Sequence, residues 1–275
     1  MSVPLLHFLK KKNTTEKPND PGHDPVEKPD TKIVLDEIVA AVYAHLKPLG
    51  FRKHGRTLHR FVSGDISQVV SFQVYRNMME PSDKFCVNLG IRVPECAERK
   101  FQPSIEKTYY QEQECTLRSR LGSVSGRKEA WFSLCDDPTQ TVKAIIEELD
   151  YFVLPVYDVL CSREAILSKR RDYPQMDTMG RHLIPLDECF IFGHLGDMDR
   201  ARERFDAFYQ EKQDELQNGR SIYLDQGMRY YSSRGTVYAA QSGYYTVFDD
   251  DVTRMQLKNL DALAVELGFR EPPTE

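Results

Sequence analysis

The stretch Lys84–Val93, KFCVNLGIRV, constrains the fold more than any other part of the chain. Apolar residues occupy every second position in it: Phe85, Val87, Leu89, Ile91 and Val93. Successive side chains of a strand point to opposite faces, so this strand must bury one face. One apolar face backed by polar residues is typical of an antiparallel sheet with one face on a core and the other in water.

Further strands are predicted on both sides of this one. ISQVVSFQVYR at 66–76 alternates in the same way, and Ser63-Gly64-Asp65 before it has the composition of a hairpin turn. ECTLRSRLG at 114–122 and the pair Trp131-Phe132 are the next candidates. The chain after the first helix is therefore expected to form a meander of strands.

Helical patterns flank the meander. An apolar stripe at helical spacing begins after Asp30 and should end at Gly50, where glycine can take the left-handed cap and Pro48 should tighten the last turn. A second helical pattern covers residues 141–160, with a kink or break expected at Pro155. This order predicts an α+β fold, in which the N-terminal helix and the long closing helix cover one face of an antiparallel sheet.

Composition divides the chain into three parts. Residues 1–30 include a proline-rich run of mixed charge, which predicts a disordered tail and linker; its apolar piece Val3–Leu9 is either a docking peptide or a floppy terminus. Residues 31–170 make up the predicted α+β domain. Residues 171–275 predict a smaller, mostly helical C-terminal domain with a helical hairpin turning at Gly196-Asp197, a tyrosine-rich extended segment and a final helix.

Bulk properties argue against several classes of protein. A net charge of -5 argues against a dedicated binder of duplex DNA, whose affinity rests on a basic surface. No stretch approaches the roughly 20 apolar residues of a membrane span. The six cysteines form no C-x-x-C pair, which is typical of reduced thiols. We therefore expect a cytoplasmic protein without a membrane span.

Patterns for catalysis and metal binding are weak. The sequence contains no G-x-S-x-G elbow and no glycine-rich phosphate loop. The best set of metal ligands fits the spacing of no zinc module: His182, Asp187, Cys189 and His194. The aspartates at 249–251 precede a predicted helix, where capping is the more usual role. The sequence therefore predicts no catalytic residue, no metal and no cofactor.

The sheet face opposite the core is the first candidate binding surface. By strand parity it collects these residues: Gln73, Tyr75, Asn88, Arg92, Arg118 and Arg120. Arg60 joins them if the basic run after Phe51 is a strand with a bulge near Gly55. Guanidinium forks beside amides suit a carboxylate, a phosphate or an acidic protein surface, and an ordinary solvated face is the alternative. Gly90 within the strand indicates a bulge or a close approach.

The tyrosine-rich segment is the second candidate surface. Its members are Tyr223, Tyr230, Tyr231, Tyr238, Tyr244 and Tyr245, with Arg229 and Arg234 among them. Tyrosine and arginine contribute much of the binding energy of protein interfaces, and both also stack on single-stranded bases. Half-buried β-structure is the alternative, because tyrosine is a good strand former.

Short motifs in a fixed order give the first domain a family resemblance. They are Gly50-Phe51, Phe61, Gln73, FCVNLG at 85–90, Arg120-Leu121-Gly122 and Trp131-Phe132. Over roughly residues 33–168 they resemble the domain of unknown function 4304, a mostly bacterial family, from which Pro48 and the extension after residue 170 depart. The resemblance implies an α+β fold and assigns no catalytic residue. Some members look like small interaction or immunity-type proteins.

These observations predict a non-enzymatic binding protein that recognises a protein partner, in the manner of an immunity or inhibitor protein. Binding of RNA or single-stranded DNA by the same arginines and tyrosines stays open as an alternative. An enzyme of unrecognised type is the remaining one.

Overall fold

The structure is a computed structural model that describes residues 31–75, 83–104, 107–127, 131–179 and 184–271. Its helices are α1 (Thr31–Leu46), α2 (Pro94–Glu98), α3 (Leu121–Ser125), α4 (Pro138–Glu148), α5 (Leu154–Val159), α6 (Arg163–Lys169), α7 (Pro185–His194), α8 (Met198–Asn218) and α9 (Asp250–Glu266). Its strands are β1 (Arg52–His54), β2 (Thr57–Val62), β3 (Ile66–Val74), β4 (Lys84–Arg92), β5 (Leu117–Arg120), β6 (Trp131–Ser133), β7 (Arg220–Leu224), β8 (Arg229–Ser232), β9 (Gly235–Tyr238) and β10 (Gly243–Val247). The predicted disordered tail at 1–30, with Val3–Leu9, lies outside the described residues.

The main sheet is antiparallel, as the alternating pattern predicts. Strands β1 to β5 pair in chain order. The first residues of β4, 84–86, pair with β6, whereas residues 88–91 of β4 pair with β5. Val62 lies opposite Ile66, so Ser63-Gly64-Asp65 is the predicted hairpin turn, with Ser63 and Gly64 at positive φ. The prediction of a strand at Trp131-Phe132 is also confirmed.

The basic run after Phe51 differs from the prediction. It forms two strands, β1 and β2, in place of one bulged strand. His54 lies opposite Thr57, and Gly55 at the turn has φ 58°. A two-residue hairpin turn needs a residue at positive φ, which glycine supplies without strain. The glycine therefore reverses the chain where a bulge was expected.

Helices α1 and α4 pack together over one face of the sheet, and this arrangement confirms the α+β fold. The apolar stripe of α1 is buried, a single 3-10 turn containing Pro48 follows it, and Gly50 closes it at φ 87°. The closing helix is interrupted between α4 and α5 by a π-helical turn, Leu149–Val153, directly before Pro155. Proline has no N–H for the helix ladder, which explains the break.

The C-terminal part packs on the first part through aromatic side chains. Helices α7 and α8 form the predicted hairpin, and the Asp197 carboxylate caps α8 by accepting from the Arg200 N–H. The Phe101 ring leaves no room for a Cβ on Gly193 of α7, and it also contacts Phe269 after α9. One hydrophobic core joins both parts, within one compact unit. The domain boundary near residue 170 stays a prediction.

The helices in the described part of the chain are all too short or too polar to cross a membrane.

Candidate functional site

The sheet face away from α1 and α4, here called the second face, is largely buried. Val69, Asn88 and Arg92 on it are 0%, 2% and 4% exposed. Residues 107–116, the covering segment, lie across part of it, with Tyr109 stacked on His54 at 3.6 Å between ring centroids. The expectation of a wet face was therefore wrong for the middle of the sheet, because a segment without a periodic pattern packs against it. Gln73 and Tyr75 at the end of β3 are exposed, as expected.

The close approach indicated by Gly90 is confirmed. A Cβ at this position would lie 2.5 Å from the Cys115 Sγ of the covering segment. The Tyr157 hydroxyl from α5 accepts a hydrogen bond from the Gly90 N–H at 3.1 Å and donates one to the Val69 carbonyl at 2.7 Å. Val69 and Gly90 are opposite each other in β3 and β4, so the hydroxyl is inserted between the two strands. Burial raises the pKa of Tyr157 and keeps its hydroxyl protonated.

Four of the predicted site residues meet at one end of the second face: Gln73, Tyr75, Asn88 and Arg120. The Asn88 amide donates to the Gln73 side-chain oxygen at 2.7 Å. Tyr75 and Arg120 both contact Trp131, each at 5.0 Å from its ring centroid. The rings and the guanidinium pack on one another, whereas the buried Arg120 Nε has no hydrogen-bond partner among the described residues.

Arg92 and Arg118 lie further along the second face and line a cleft of about 550 Å³. The Arg118 Nε donates to the buried Glu112 carboxylate at 2.5 Å. The Arg92 Nη2 donates to Glu98 at 2.9 Å, and its guanidinium lies 3.8 Å above the Tyr110 ring centroid. These two arginines therefore belong to the wall of a cleft and not to the cluster around Trp131.

Arg60 is separate from the other predicted site residues. Because β2 starts after the turn at Gly55, Arg60 lies opposite Gln68 on the helix-covered face. Its guanidinium donates to the Gln68 side-chain oxygen and to Asp158 on α5, both at 2.7 Å. The structure therefore assigns Arg60 to the packing of α5 on the sheet.

The sequence interpretation missed several residues that line the cleft: Glu98, Arg99, Lys100, Lys107 and Tyr110. They lie in α2, in the turn after it and in the covering segment, where no strand or helix periodicity indicates a direction for each side chain. The pair Tyr109-Tyr110 was the only available signal, as two adjacent large aromatic residues in a polar segment.

The tyrosine-rich segment forms one interrupted β-ribbon, here called the tyrosine ribbon (residues 220–247). β7 pairs with β10 and β8 pairs with β9. Leu224 lies opposite Gly243, and Arg229 lies opposite Tyr238. Four residues therefore separate the two paired regions on each arm, so both regions share one register. The predicted extended conformation of this segment is confirmed.

The ribbon is folded back on itself. The N–H of Ser233 at its tip donates to the Phe248 carbonyl at its base, at 2.6 Å. Tyr230 near the tip donates to the Asp249 carboxylate at its base. The residues buried on the inner side are Leu224, Ala239 and Val247. This fold-back leaves the alternate positions of each paired region pointing outward.

Four tyrosines occupy these outward positions. Tyr223 and Tyr244, the outer-pair face, are 55% and 78% exposed, with ring centroids 5.3 Å apart. Tyr231 and Tyr238 are 76% and 56% exposed. Together with Arg229 these two tyrosines make up the inner-hairpin face, where the Arg229 guanidinium lies 5.9 Å from the Tyr238 ring centroid. The alternative of half-buried β-structure applies to Tyr230 and Tyr245.

The candidate metal ligands are not brought together in the described part of the chain, where no group of three or more His, Cys, Asp or Glu could hold a metal ion. His182 lies outside that part. Asp249 and Asp250 accept instead from Arg220 and Arg234. The helix α9 begins at Asp250, and the Asp249 side chain directly before it makes no capping hydrogen bond.

Comparison with known proteins finds one family model that matches part of the chain. Residues 42–158 match the model of the family described as Domain of unknown function (DUF4304), which confirms the resemblance of the first domain. The match covers α1 from Val42 onward, the main sheet and most of α5, and it leaves the tyrosine ribbon outside. No curated protein and no solved structure matches this chain.

Proposed function

We propose that this is a non-enzymatic binding protein that recognises a protein partner through the inner-hairpin face of the tyrosine ribbon. The observation that carries the proposal is the exposure of Tyr231 and Tyr238, 76% and 56%, on a paired backbone beside Arg229. Tyrosine and arginine are enriched among the residues that dominate interface energies. Strand pairing holds these rings in place before binding, which lowers the entropy lost on association.

The charges on the ribbon favour a protein over a nucleic acid. Binding of single strands combines aromatic stacking with cations that neutralise phosphates. Arg220 and Arg234 are already paired with Asp249 and Asp250, at 2.8 and 3.1 Å. Within residues 220–249, all of them described, Arg229 alone is an arginine or lysine without a carboxylate partner. One free cation is too few for a phosphate-tracking groove.

The arrangement of the main sheet supports the ribbon as the binding surface. The arginines predicted as a binding face are divided among a packed cluster, a cleft and the opposite face of the sheet. The ribbon, in contrast, exposes tyrosine and arginine side chains, which are enriched in protein interfaces. An immunity or inhibitor role is the specific form of this function that the family resemblance suggests.

The experiment compares two matched double variants with the unmodified protein. Tyr231→Ser/Tyr238→Ser alters the inner-hairpin face, and Tyr223→Ser/Tyr244→Ser removes the same groups from the outer-pair face. Each protein is used as bait in its native lysate under mild crosslinking, and the recovered partner is then purified for affinity measurement. We expect the first variant to bind at least about tenfold more weakly, since interface tyrosines often contribute 2 kcal/mol or more. The second variant should bind like the unmodified protein.

Three results would overturn the proposal. The first is that no specific partner is recovered from the lysate. The second is equal weakening in both variants. The third is recovery of a nucleic acid whose affinity falls steeply between low and moderate salt, which would favour the RNA or single-stranded DNA alternative.

A further inference from the structure

The cleft beside the second face has the size and chemistry of a site for a small ligand. It lies between α2, the covering segment and the start of α7, and its volume is about 550 Å³. Pockets for small molecules typically measure roughly 300 to 1,000 Å³. Charged and polar side chains make up most of its lining, so a water-soluble ligand fits it better than an apolar one.

The cleft is positively charged, although the chain carries a net charge of -5. Among the described residues, five cations line it, Arg92, Arg99, Lys100, Lys107 and Arg118, against three carboxylates, Glu98, Glu114 and Asp187. The charge of Arg118 is compensated by Glu112, which does not line the cleft. When Glu112 is counted as a fourth carboxylate, the five cations are still in excess. Such an excess attracts anions.

Of these five cations, Arg99 and Lys100 are available to a ligand. Arg92 and Lys107 are paired with Glu98 and Glu114, at 2.9 and 2.5 Å. Arg99 and Lys100 are exposed and have no carboxylate partner among the described residues. The uncompensated charge of the cleft therefore lies at its rim.

Arg92 adds a buried cation in the wall. It is 4% exposed, and its Nη1 is buried without a hydrogen-bond partner in the part of the chain that the structure describes. Buried polar nitrogens of native proteins are nearly always hydrogen-bonded, because leaving one unpaired costs free energy. Arg92 thus has hydrogen-bonding capacity that its own contacts with Glu98 and Tyr110 do not use.

We propose that this cleft binds a small anion that carries phosphate or carboxylate groups. Lys100 and Arg99 attract the anion at the rim, and Arg92 provides a positioned cation in the wall. Phosphate and carboxylate share the oxygen geometry that a guanidinium binds through two parallel hydrogen bonds. Ser104 lines the same cleft, and its hydroxyl is a further donor. This proposal is independent of the partner proposed for the ribbon.

The test is calorimetric titration of the full chain with pyrophosphate and, separately, with citrate. Pyrophosphate represents the phosphate source of the ligand chemistry, and citrate represents the carboxylate source. We expect saturable one-to-one binding of at least one of them at micromolar to millimolar concentration. Which of the two binds more tightly assigns the ligand class.

A pair of charge-matched variants locates the site. Arg99→Asn/Lys100→Gln removes two rim cations; asparagine is chosen because residue 99 has φ 55°, a conformation that it tolerates. The control Arg254→Gln/Lys258→Gln removes two exposed cations of α9, neither of which lines the cleft. We expect about tenfold weaker binding for the rim variant, the usual loss for one charge-assisted hydrogen bond, and no change for the control.

Two results would overturn the assignment. One is the absence of saturable binding for both anions, and the other is equal weakening in the rim and control variants, which would indicate a general charge effect. Both rim residues are exposed, so circular dichroism should show an unchanged fold for the variant. The measurement uses the purified chain and small anions only, and its failure would leave the ribbon proposal intact.

Discussion

The second face of the sheet and the tyrosine ribbon are both polar, aromatic β-structure, yet they differ in what covers them. On the sheet, Asn88 and Arg92 are nearly inaccessible, and Tyr157 of α5 is fully buried with its hydroxyl bonded to the sheet backbone. On the ribbon, Tyr231 and Tyr244 are more than three-quarters exposed. Polar alternation in a strand therefore shows which residues share a face, whereas exposure depends on the elements that pack against it.

This difference separates structural tyrosines from tyrosines available for binding. A tyrosine whose hydroxyl replaces a strand hydrogen bond contributes to the free energy of unfolding. A tyrosine with an exposed ring contributes little to stability and can contribute to association.

The largest change in the free energy of unfolding is expected for substitutions of Tyr157. Tyr157→Ala should lower the free energy of unfolding by about 3–5 kcal/mol, because it leaves a cavity in the core. Tyr157→Phe should cost about 1–3 kcal/mol, since the Gly90 N–H and the Val69 carbonyl lose their partner. Urea unfolding measures both values.

Tyr231→Phe is the matched control for this prediction. It removes the same hydroxyl from an exposed tyrosine and should change stability by less than about 0.5 kcal/mol. Equal losses in Tyr157→Phe and Tyr231→Phe would contradict the contrast between the two regions.

A smaller effect is expected where the covering segment meets the sheet. Gly90→Ala would place a Cβ 2.5 Å from the Cys115 Sγ, so the covering segment must shift. Overpacking of this kind costs about 1–3 kcal/mol. Gly243→Ala in the ribbon is the control, because a Cβ there meets nothing within 4 Å. A thermal shift in Gly90→Ala no larger than that of the control would show that the segment is loosely attached.

The smallest effect is a pH dependence due to His59 beneath the covering segment. Burial, followed by the charges of Arg52 and His54, lowers the pKa of His59 from its usual 6.5. The unfolded chain then binds more protons than the folded one, so stability falls as pH decreases from about 6.5 toward the folded pKa. His59→Gln should weaken this decline between pH 7 and pH 5 in urea unfolding. An unchanged pH profile would mean that His59 is accessible in the folded state.

Much of the fold follows from local patterns that do not depend on distant residues. The stop at Gly50, the turn at Ser63-Gly64-Asp65 and the faces of β4 were all predicted, because capping, turn chemistry and alternation act within a few residues. The hairpin at Gly55 was not, because a glycine in a strand is compatible with either a bulge or a turn. Arg60 was consequently expected on the wrong face of the sheet.

The candidate sites could be predicted only in part. Arg92 and Arg118 were identified by parity, but Glu98, Arg99, Lys100 and Lys107 join them only after α2 and the covering segment fold against the sheet. The tyrosines of the ribbon were identified by composition. Which of them point outward follows from the register shared by its two paired regions and from the contact between its tip and its base.

The sequence by itself determined the antiparallel sheet, the helices that cover it, the family resemblance and the two groups of residues worth testing. Only the tertiary structure decided which of those residues are accessible. The physical reason is that strand periodicity specifies a direction relative to the sheet, whereas burial depends on segments distant in the chain. Tyr157 enters the sheet from a helix 67 residues after Gly90, and no pattern around either residue records that contact.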